Sequence, residues 1–337
     1  MRAGDAEALH ARRNDPDVAR YQTWITPWPR SRADEIIAGA AAMDGPQNGE
    51  WWMLTIADRQ DAEVIGDLVA LLTWDGRCAE IGYSLAREHW GKGYAVEGAA
   101  ALVEWLFETF PLTRAHGMLH PDNPASAQVL ERVGMLFEGH TRLSFWVGDD
   151  NSDDHLYGMT RDDWMTWRSR PRQPPTVVEL VEMDFDIGIE ARAVRVHKTQ
   201  ERFVATVTQS FADALVPPEV DGHPVVPWLR GVRVDGELIG FVMLAEPTEH
   251  HPEPFLWRLI VDRLHQRRGI GARILALVED QCRSWGSTGL LVSWGEGRGS
   301  PRPFYERHGF VPTGEISDGE TVARKTLDVS SMQRTLG

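Results

Sequence analysis

The stretch "HQRRGIGARI", His265 to Ile274, sets two arginines against two glycines at the start of an amphipathic pattern, in a chain of formal charge −15. Glycine lets backbone N–H groups approach a ligand with no Cβ in the way. The first turn of a helix carries unpaired N–H donors and a partial positive charge. Together they make an anion site, to which Arg267 and Arg268 can add charge-assisted hydrogen bonds. A nucleotide-triphosphate loop needs Lys-Ser/Thr after the glycines to place a hydroxyl on magnesium, and Ala272-Arg273 stand there instead. A dinucleotide fingerprint needs G-x-G-x-x-G after the first strand of its unit. Here positions 269, 271 and 274 read Gly, Gly, Ile, after the fourth strand-like run. Both nucleotide readings fail on what surrounds the glycines.

Working outward, the helix that follows places Ile270, Ile274, Leu275, Leu277 and Val278 on one stripe. Strand-like runs precede it at 176–183, 228–235, 237–245 and 255–262, and a strand (289–295), a short helix (302–309) and two more strands (310–316, 321–327) come after. The first half reads in nearly the same order. Helices at 5–14 and 31–43 lead to strands at 51–58, 63–74 and 79–86, a helix from 91 to about 110, a strand at 114–120, a helix at 124–133, and strands at 135–147 and 154–160. Gly91 and Gly134 are 43 positions apart, and Gly269 and Gly309 are 40 apart. This is the duplication of a whole domain. The segment "WRSRPRQPPTVVE" (167–179), rich in Pro and Arg, has linker composition. We expect domains at 1–168 and 176–337 joined by 169–175, with the first domain lacking the strand that opens the second.

Bulk composition excludes several classes. Acidic residues (50) outnumber basic ones (35), which argues against general nucleic-acid binding and is compatible with a cationic small substrate, with plain solubility as the alternative reading. No apolar run approaches a membrane span and the N-terminus has no signal-peptide core, so no membrane is expected. Cys78 and Cys282 have no metal or redox spacing, and the histidines, His250-His251 included, show no ligand arrangement; we expect no metal and a reduced, cytoplasmic location.

Gln266-Arg267-Arg268-Gly269-Ile270-Gly271 resembles the Q/R-x-x-G-x-G/A acyl-CoA signature of the GNAT N-acetyltransferase superfamily, and "RPFYERHGF" (302–310) is similar to that family's F-Y-x-x-x-G-F segment. The second half looks most like the spermine/spermidine acetyltransferase branch. The first half, through "AEIGYSLAREHWGKGYAVEG" (79–98), "NPASAQVLERVGM" (123–135) and "DHLYGMT" (154–160), resembles the Rim branch of ribosomal-protein and aminoglycoside acetyltransferases. Its signature departs at Glu88, where Gln or Arg is usual. The resemblance implies two tandem α+β folds, each a mostly antiparallel mixed sheet flanked by helices. It implies acetyl-CoA as the cofactor, up to one per domain, and a cationic primary amine of polyamine or aminosugar type as the substrate. A protein N-terminus as acceptor, or an acetyl-CoA-binding module without turnover, are the alternatives. Two central strands of each sheet should splay to admit the pantetheine arm, 79–86 from 114–120 and 255–262 from 289–294. The chain is expected as a monomer with pseudo-dimeric domains or as a homodimer.

The resemblance also implies residue roles. Cofactor contacts fall on Leu259, Ile260, Val261, Gln266, Arg267, Arg268, Gly269, Ile270, Gly271 and Ala272 in the second domain. In the first they fall on Tyr83, Ser84, Leu85, His89, Trp90, Gly91, Lys92, Gly93, Tyr94, Ala95, Asn123 and Ser126. Tyr305 is placed as the proton donor to the leaving thiolate, since a phenol is protonated at neutral pH. Aligning Gly309 with Gly134 puts Leu130 where Tyr305 stands, and Arg298 and Pro301 where Asn123 and Ser126 stand. Ser126 is therefore a candidate proton donor or relay, with helix capping or a CoA contact as the alternative. Glu80, opening the strand that should line the first cleft, is the candidate base, with a solvent-facing strand position as its alternative. Glu253, Asp262 and Glu315 are unranked base candidates in the second domain. The four aspartates of "GDDNSDDH" (148–155) are expected in a hairpin loop, either holding a cationic substrate or simply solvated.

Overall fold

The structure, a computed structural model, describes residues 2–60, 62–220 and 222–328, in two compact units with the boundary between Ser169 and Arg170. The first unit begins with α1 (Ala6–Asn14), the single turn α2 (Pro16–Ala19) and α3 (Arg30–Ala42). Its sheet strands are β1 (Trp51–Ala57), β2 (Val64–Thr73), β3 (Cys78–Leu85), β4 (Arg114–Leu119), β5 (Leu136–Val147) and β6 (Asp150–Thr160). Between them lie α4 (Tyr94–Thr109) and α5 (Pro124–Val133), and α6 (Arg161–Ser169) closes the unit. The second unit runs β7 (Val178–Glu182), α7 (Phe185–Ala191), α8 (Val207–Leu215), the small hairpin β8 (Glu219–Val220) and β9 (His223–Pro224), β10 (Pro227–Val234), β11 (Glu237–Ala245) and β12 (Phe255–Val261). It continues with α9 (Ile270–Ser284), β13 (Gly289–Trp294), α10 (Arg302–Arg307), β14 (Val311–Ser317) and β15 (Glu320–Thr326).

The two sheets share one wiring. The first is six-stranded in the order β1-β2-β3-β4-β6-β5, and the second seven-stranded in the order β14-β15-β13-β12-β11-β10-β7. The additional strand is β7, paired with β10. One parallel pair stands in each antiparallel sheet, and it is short. β3 and β4 pair only at Cys78↔Arg114, Ala79↔Ala115 and Glu80↔His116, and β12 and β13 only at Phe255↔Leu291 and Leu256↔Val292. Beyond those positions the strands part into a fork, so one edge of 81–85 and of 257–261 is left without a strand partner. Unpaired backbone amides of this kind are an extended acceptor for a ligand that carries amides of its own.

Apolar periodicity drives the helices onto one sheet face. In α4 the buried residues are Ala99, Leu102, Val103, Leu106 and Phe107, and in α9 they include Ile270, Ile274, Leu275, Val278 and Cys282. Each is a three-and-four spacing. They join Ala79, Ile81 and Ala115 in the first core and Leu256, Leu290 and Val292 in the second. Fully burying one such leucine or isoleucine contributes about 2 kcal/mol. On the opposite face of the first sheet, α1 is tied to β2 by the buried Arg12–Asp67 ion pair. Arg13 stacks over Trp24 at 4.2 Å and Trp28 at 4.8 Å.

Two readings change. The start of the linker-like segment is helix: α6 extends through Ser169, with Trp167 against Gly134 and Arg168 paired to Glu108 at 2.7 Å. Three of the four aspartates are in a strand, because β6 starts at Asp150, and only Asp149 stays in the turn. Asp154 is buried and accepts from Ser144 Oγ at 2.9 Å, and Asp153 accepts from the Leu143 amide at 2.8 Å and meets His140 at 2.7 Å. Long flanking strands shorten the turn to Gly148-Asp149.

Candidate active sites

Each fork opens toward a glycine loop at the head of a helix. In the first unit His89 to Gly93 carries the chain from β3 to α4. Gly91 and Gly93 lie in the left-handed region (φ +77° and +94°), and a Cβ on either would meet nothing within 4 Å. Gly93 caps α4 without any side-chain hydrogen bond, and the first bond of the turn is Glu97 N–H to Gly93 O at 3.0 Å. The loop therefore sits at the positive end of a 16-residue helix, where an anion is favoured. Trp90 pins the loop by donating from Nε1 to Leu85 O at 2.9 Å, and Tyr94 donates to Asp58 at 3.1 Å. Lys92 is exposed. The cradle fits the pyrophosphate of coenzyme A.

At this fork two sets of groups lie on opposite faces of the sheet. On the face that carries α1, Glu80 lies opposite His116 at the last paired position, with Oε2 to Nε2 at 3.7 Å, and Cys78 Sγ is 3.7 Å from His116 Nδ1. Burial, then the charge of Asp154, pushes the Glu80 carboxyl up, while burial, then Arg114, pushes the His116 imidazole down. The same face holds the Ser84 hydroxyl, which is buried without a hydrogen-bond partner. On the helix side, Tyr83 Oη lies 2.9 Å from Ser126 Oγ and 2.9 Å from Ser126 O. Asn123 caps α5 through its carbonyl, accepting from Ser126 N–H at 3.1 Å. Glu80 and Tyr83 of β3 and Ser126 of α5 thus meet this fork from two elements, Glu80 on one face of the sheet and Tyr83 with Ser126 on the other.

The second unit repeats the cradle with different pins. Gly269 caps α9 at φ +80° with open space around it, and Gly271 lies 3.4 Å, at its would-be Cβ, from the Phe304 ring. Gln266 Nε2 donates to Val261 O at 3.0 Å, which ties the loop back to β12. One sequence expectation is corrected. The Arg268 guanidinium is not turned to a phosphate; it is buried, donating to Gln173 O at 2.7 Å and meeting His265 Nδ1 at 3.0 Å. A guanidinium with that many protein acceptors gains more from them than from an exposed loop. Arg267, exposed at φ +66°, keeps its side chain in solvent.

Tyr305 is 7% exposed and lies in the helix-side core of this fork, stacked on Trp294 with ring centroids 6.0 Å apart and packed against Phe304 and Phe310. Burial, then the charge of Glu320, pushes its phenol up. Glu320 itself accepts a hydrogen bond from Ser293 on β13. Beside it opens a cavity of about 990 Å³ lined by residues that include Trp257, Arg258, Ser293, Glu315, Asp318 and Glu320. Among the unranked base candidates, Glu253 is locked by Arg324 at 2.9 Å, and Asp262 accepts the Arg195 and Leu264 amides at 2.9 Å each. Glu315 lines the cavity. Glu320 and His116 were not singled out from the sequence. Glu320 sits on the strand after the F-Y-x-x-x-G-F segment, and only the β13–β15 pairing brings it to Ser293.

Among the described residues no group of three or more His, Cys, Asp and Glu is placed to hold a metal ion, and no helix is long and apolar enough to cross a membrane. Two forked mixed sheets, each with a glycine cradle heading a helix, define an acyl-CoA-binding transferase class. The acetyltransferase (GNAT) domain model matches residues 1–136, and the acetyltransferase (GNAT) family model matches residues 194–310. The chain is 32% identical to the "uncharacterized N-acetyltransferase p20" of Bacillus licheniformis over 42% of its own length and 79% of that protein's. It is 30% identical to the "uncharacterized N-acetyltransferase YoaA" of Bacillus subtilis over 47% of its length and 88% of the relative's. A spermidine N-acetyltransferase of Vibrio cholerae, solved with CoA and spermine, superposes on 49% of this chain and 95% of that one at 19% identity and a TM-score of 0.43. The chain belongs to the GNAT family of N-acetyltransferases, with two GNAT domains in tandem, and is an acyltransferase that uses acetyl-CoA.

Proposed function

We propose that the chain acetylates a primary amine of a cationic small molecule, of polyamine or aminosugar type, with the second unit as the main site and Tyr305 as its proton donor. The charge of the cavity lined by Glu320, whose carboxylate acts on the Tyr305 phenol, carries this reading. Its lining holds the carboxylates Glu201, Glu253, Glu315, Asp318 and Glu320. Arg324 neutralises Glu253, Lys198 pairs with Glu201, and the lining Arg258 is bound to Asp213. Glu315, Asp318 and Glu320 are the carboxylate excess, and Arg202, over the Phe203 ring, is the remaining guanidinium. A cleft with such an excess concentrates cations.

The chemistry needs a neutral amine, a polarised thioester carbonyl and a proton for the departing thiolate. The amine forms its N–C bond as the C–S bond breaks. The sulfur takes the Tyr305 proton, and the amine proton leaves through Glu320 or water. Acetyl-CoA supplies the activated acetyl group. Gln266 to Ala272 hold its pyrophosphate through backbone amides, and the free edge of Leu259-Ile260-Val261 holds its amide-bearing arm. In the first unit His89 to Ala95 and Tyr83-Ser84-Leu85 do the same, so that each unit takes one acetyl-CoA. There Glu80 is the base that drains the amine.

CoA release is measured with spermidine, kanamycin and an alanine-terminated peptide, in a full chain carrying Gly93→Glu to close the first cradle. Spermidine or kanamycin should be the better acceptor, and Tyr305→Phe should lower kcat by about 10²–10⁴-fold. An unchanged rate in Tyr305→Phe removes the tyrosine from the mechanism, and a preference for the peptide removes the cationic small molecule.

A further inference from the structure

The two forks hold one tyrosine each, on opposite walls. Leu130 and Tyr305 occupy the same place in their helices: the amide of Met135 donates to Leu130 O at 3.0 Å, and that of Phe310 to Tyr305 O at 3.1 Å. Across the fork, Tyr83 and Leu259 occupy the same place in their strands, two residues before the strand ends at Leu85 and Val261, and both pack into the helix-side core. The pairs are therefore Tyr83 with Leu130 in the first unit and Leu259 with Tyr305 in the second. Tyrosine and leucine have exchanged walls. β4 ends at Leu119 and α5 starts at Pro124, so Ser126 belongs to the far wall, and the Tyr83 hydroxyl crosses the fork to reach it at 2.9 Å.

We propose that Tyr83 is the proton donor of the first unit, delivering from the strand what Tyr305 delivers from the helix in the second. This rests on the acetyl-transfer reading above and adds that the first site turns over. Tyr83 Oη donates to Ser126 O, and Ser126 Oγ donates back to Tyr83 Oη. When the amine nitrogen bonds the acetyl carbon and the C–S bond breaks, the electron pair goes to sulfur. The phenol turns and gives sulfur its proton. The Ser126 hydrogen bond strengthens onto the developing phenolate. The ammonium proton of the intermediate leaves through Glu80 and solvent, and solvent returns one proton to Tyr83. Burial raises the phenol, and the same desolvation raises a thiol in that fork, so the match between donor and acceptor is kept.

The test uses the full chain with Gly271→Glu closing the second cradle, assayed for CoA release with the same amines. Tyr83→Phe should lower kcat about 100-fold or more, with the amine KM and the acetyl-CoA Kd within about twofold, since only the proton is removed. Ser126→Ala, which leaves the ring in place, should lower kcat about tenfold, which keeps the question answerable if Tyr83→Phe fails to fold. An active Gly271→Glu chain whose rate is unaffected by Tyr83→Phe, or by Ser126→Ala should Tyr83→Phe not fold, overturns the inference and leaves the acetyl-transfer reading standing. A silent Gly271→Glu chain beside an active Gly93→Glu chain also overturns it, because the first unit is then no enzyme. Silence in both overturns the proposed function as well.

Discussion

At the scale of single residues, environment decides what each titratable group can do. Glu80 was readable as a strand carboxylate, but the sequence did not show that it stands at the parting of β3 and β4, opposite His116 and near Asp154. Burial first and Asp154 second raise its carboxyl. A base works only when ionised, so the rate of the first unit should fall as pH drops through a midpoint raised from the ordinary glutamate value. Glu80→Gln should abolish that acid limb in a kcat/KM profile of the Gly271→Glu chain, and Asp154→Asn should move the midpoint down. Stability runs the opposite way: a raised carboxyl makes the folded state relatively more stable below that midpoint and less stable above it. Cys282 shows the opposite use of burial, since its thiol is pushed up to about 12 inside the α9 core and remains an inert packing group.

At the scale of elements, the forks depend on how helices are anchored to strands. The Arg12–Asp67 pair buries a charge on each of α1 and β2. Removing one partner leaves the other buried and uncompensated, so Arg12→Ala should cost about 3–5 kcal/mol in urea unfolding, whereas Arg12→Met with Asp67→Leu should recover most of it. The C-cap of α5 is as demanding. Gly134 has φ +106°, and a Cβ there would fall 2.3 Å from the Trp167 ring of α6. Gly134→Ala should therefore destabilise by about 2 kcal/mol or more, read as a lowered thermal midpoint. The sequence marked Gly134 as the end of a helix; that it also receives α6 follows from α6 continuing where linker composition pointed to coil. Arg168 of that segment pairs with Glu104 and Glu108 of α4, and composition carries no information about which side chains a helix will meet.

At the scale of the whole molecule, two cradles predict two acyl-donor sites. Calorimetric titration with acetyl-CoA should count two in the native chain and one in either Gly93→Glu or Gly271→Glu. At Gly93 a side chain is strained by φ +94°; at Gly271 a glutamate meets the Phe304 ring and places a negative charge where the amides await one. One site in the native chain would leave one unit without a donor. The doubling was legible because each unit repeats the same order of apolar periodicities and the same pair of glycine positions, and these are local properties of the chain.

By itself the sequence determined the family, the duplication and the glycines that head α4 and α9, and it pointed to Tyr305 as a candidate, because each depends on residues close together along the chain: a helix stripe, a turn that only glycine fits readily, a short motif. Tertiary structure decided the rest. The length of the parallel pairing sets where each fork opens. The β13–β15 pairing brings Glu320 to Ser293, the protein acceptors around Arg268 draw it away from the loop, and the crossing from β3 to α5 brings Tyr83 to Ser126. These are contacts between residues far apart along the chain, 43 positions for Tyr83 and Ser126. No local pattern encodes such a distance; the packing of strand against helix does.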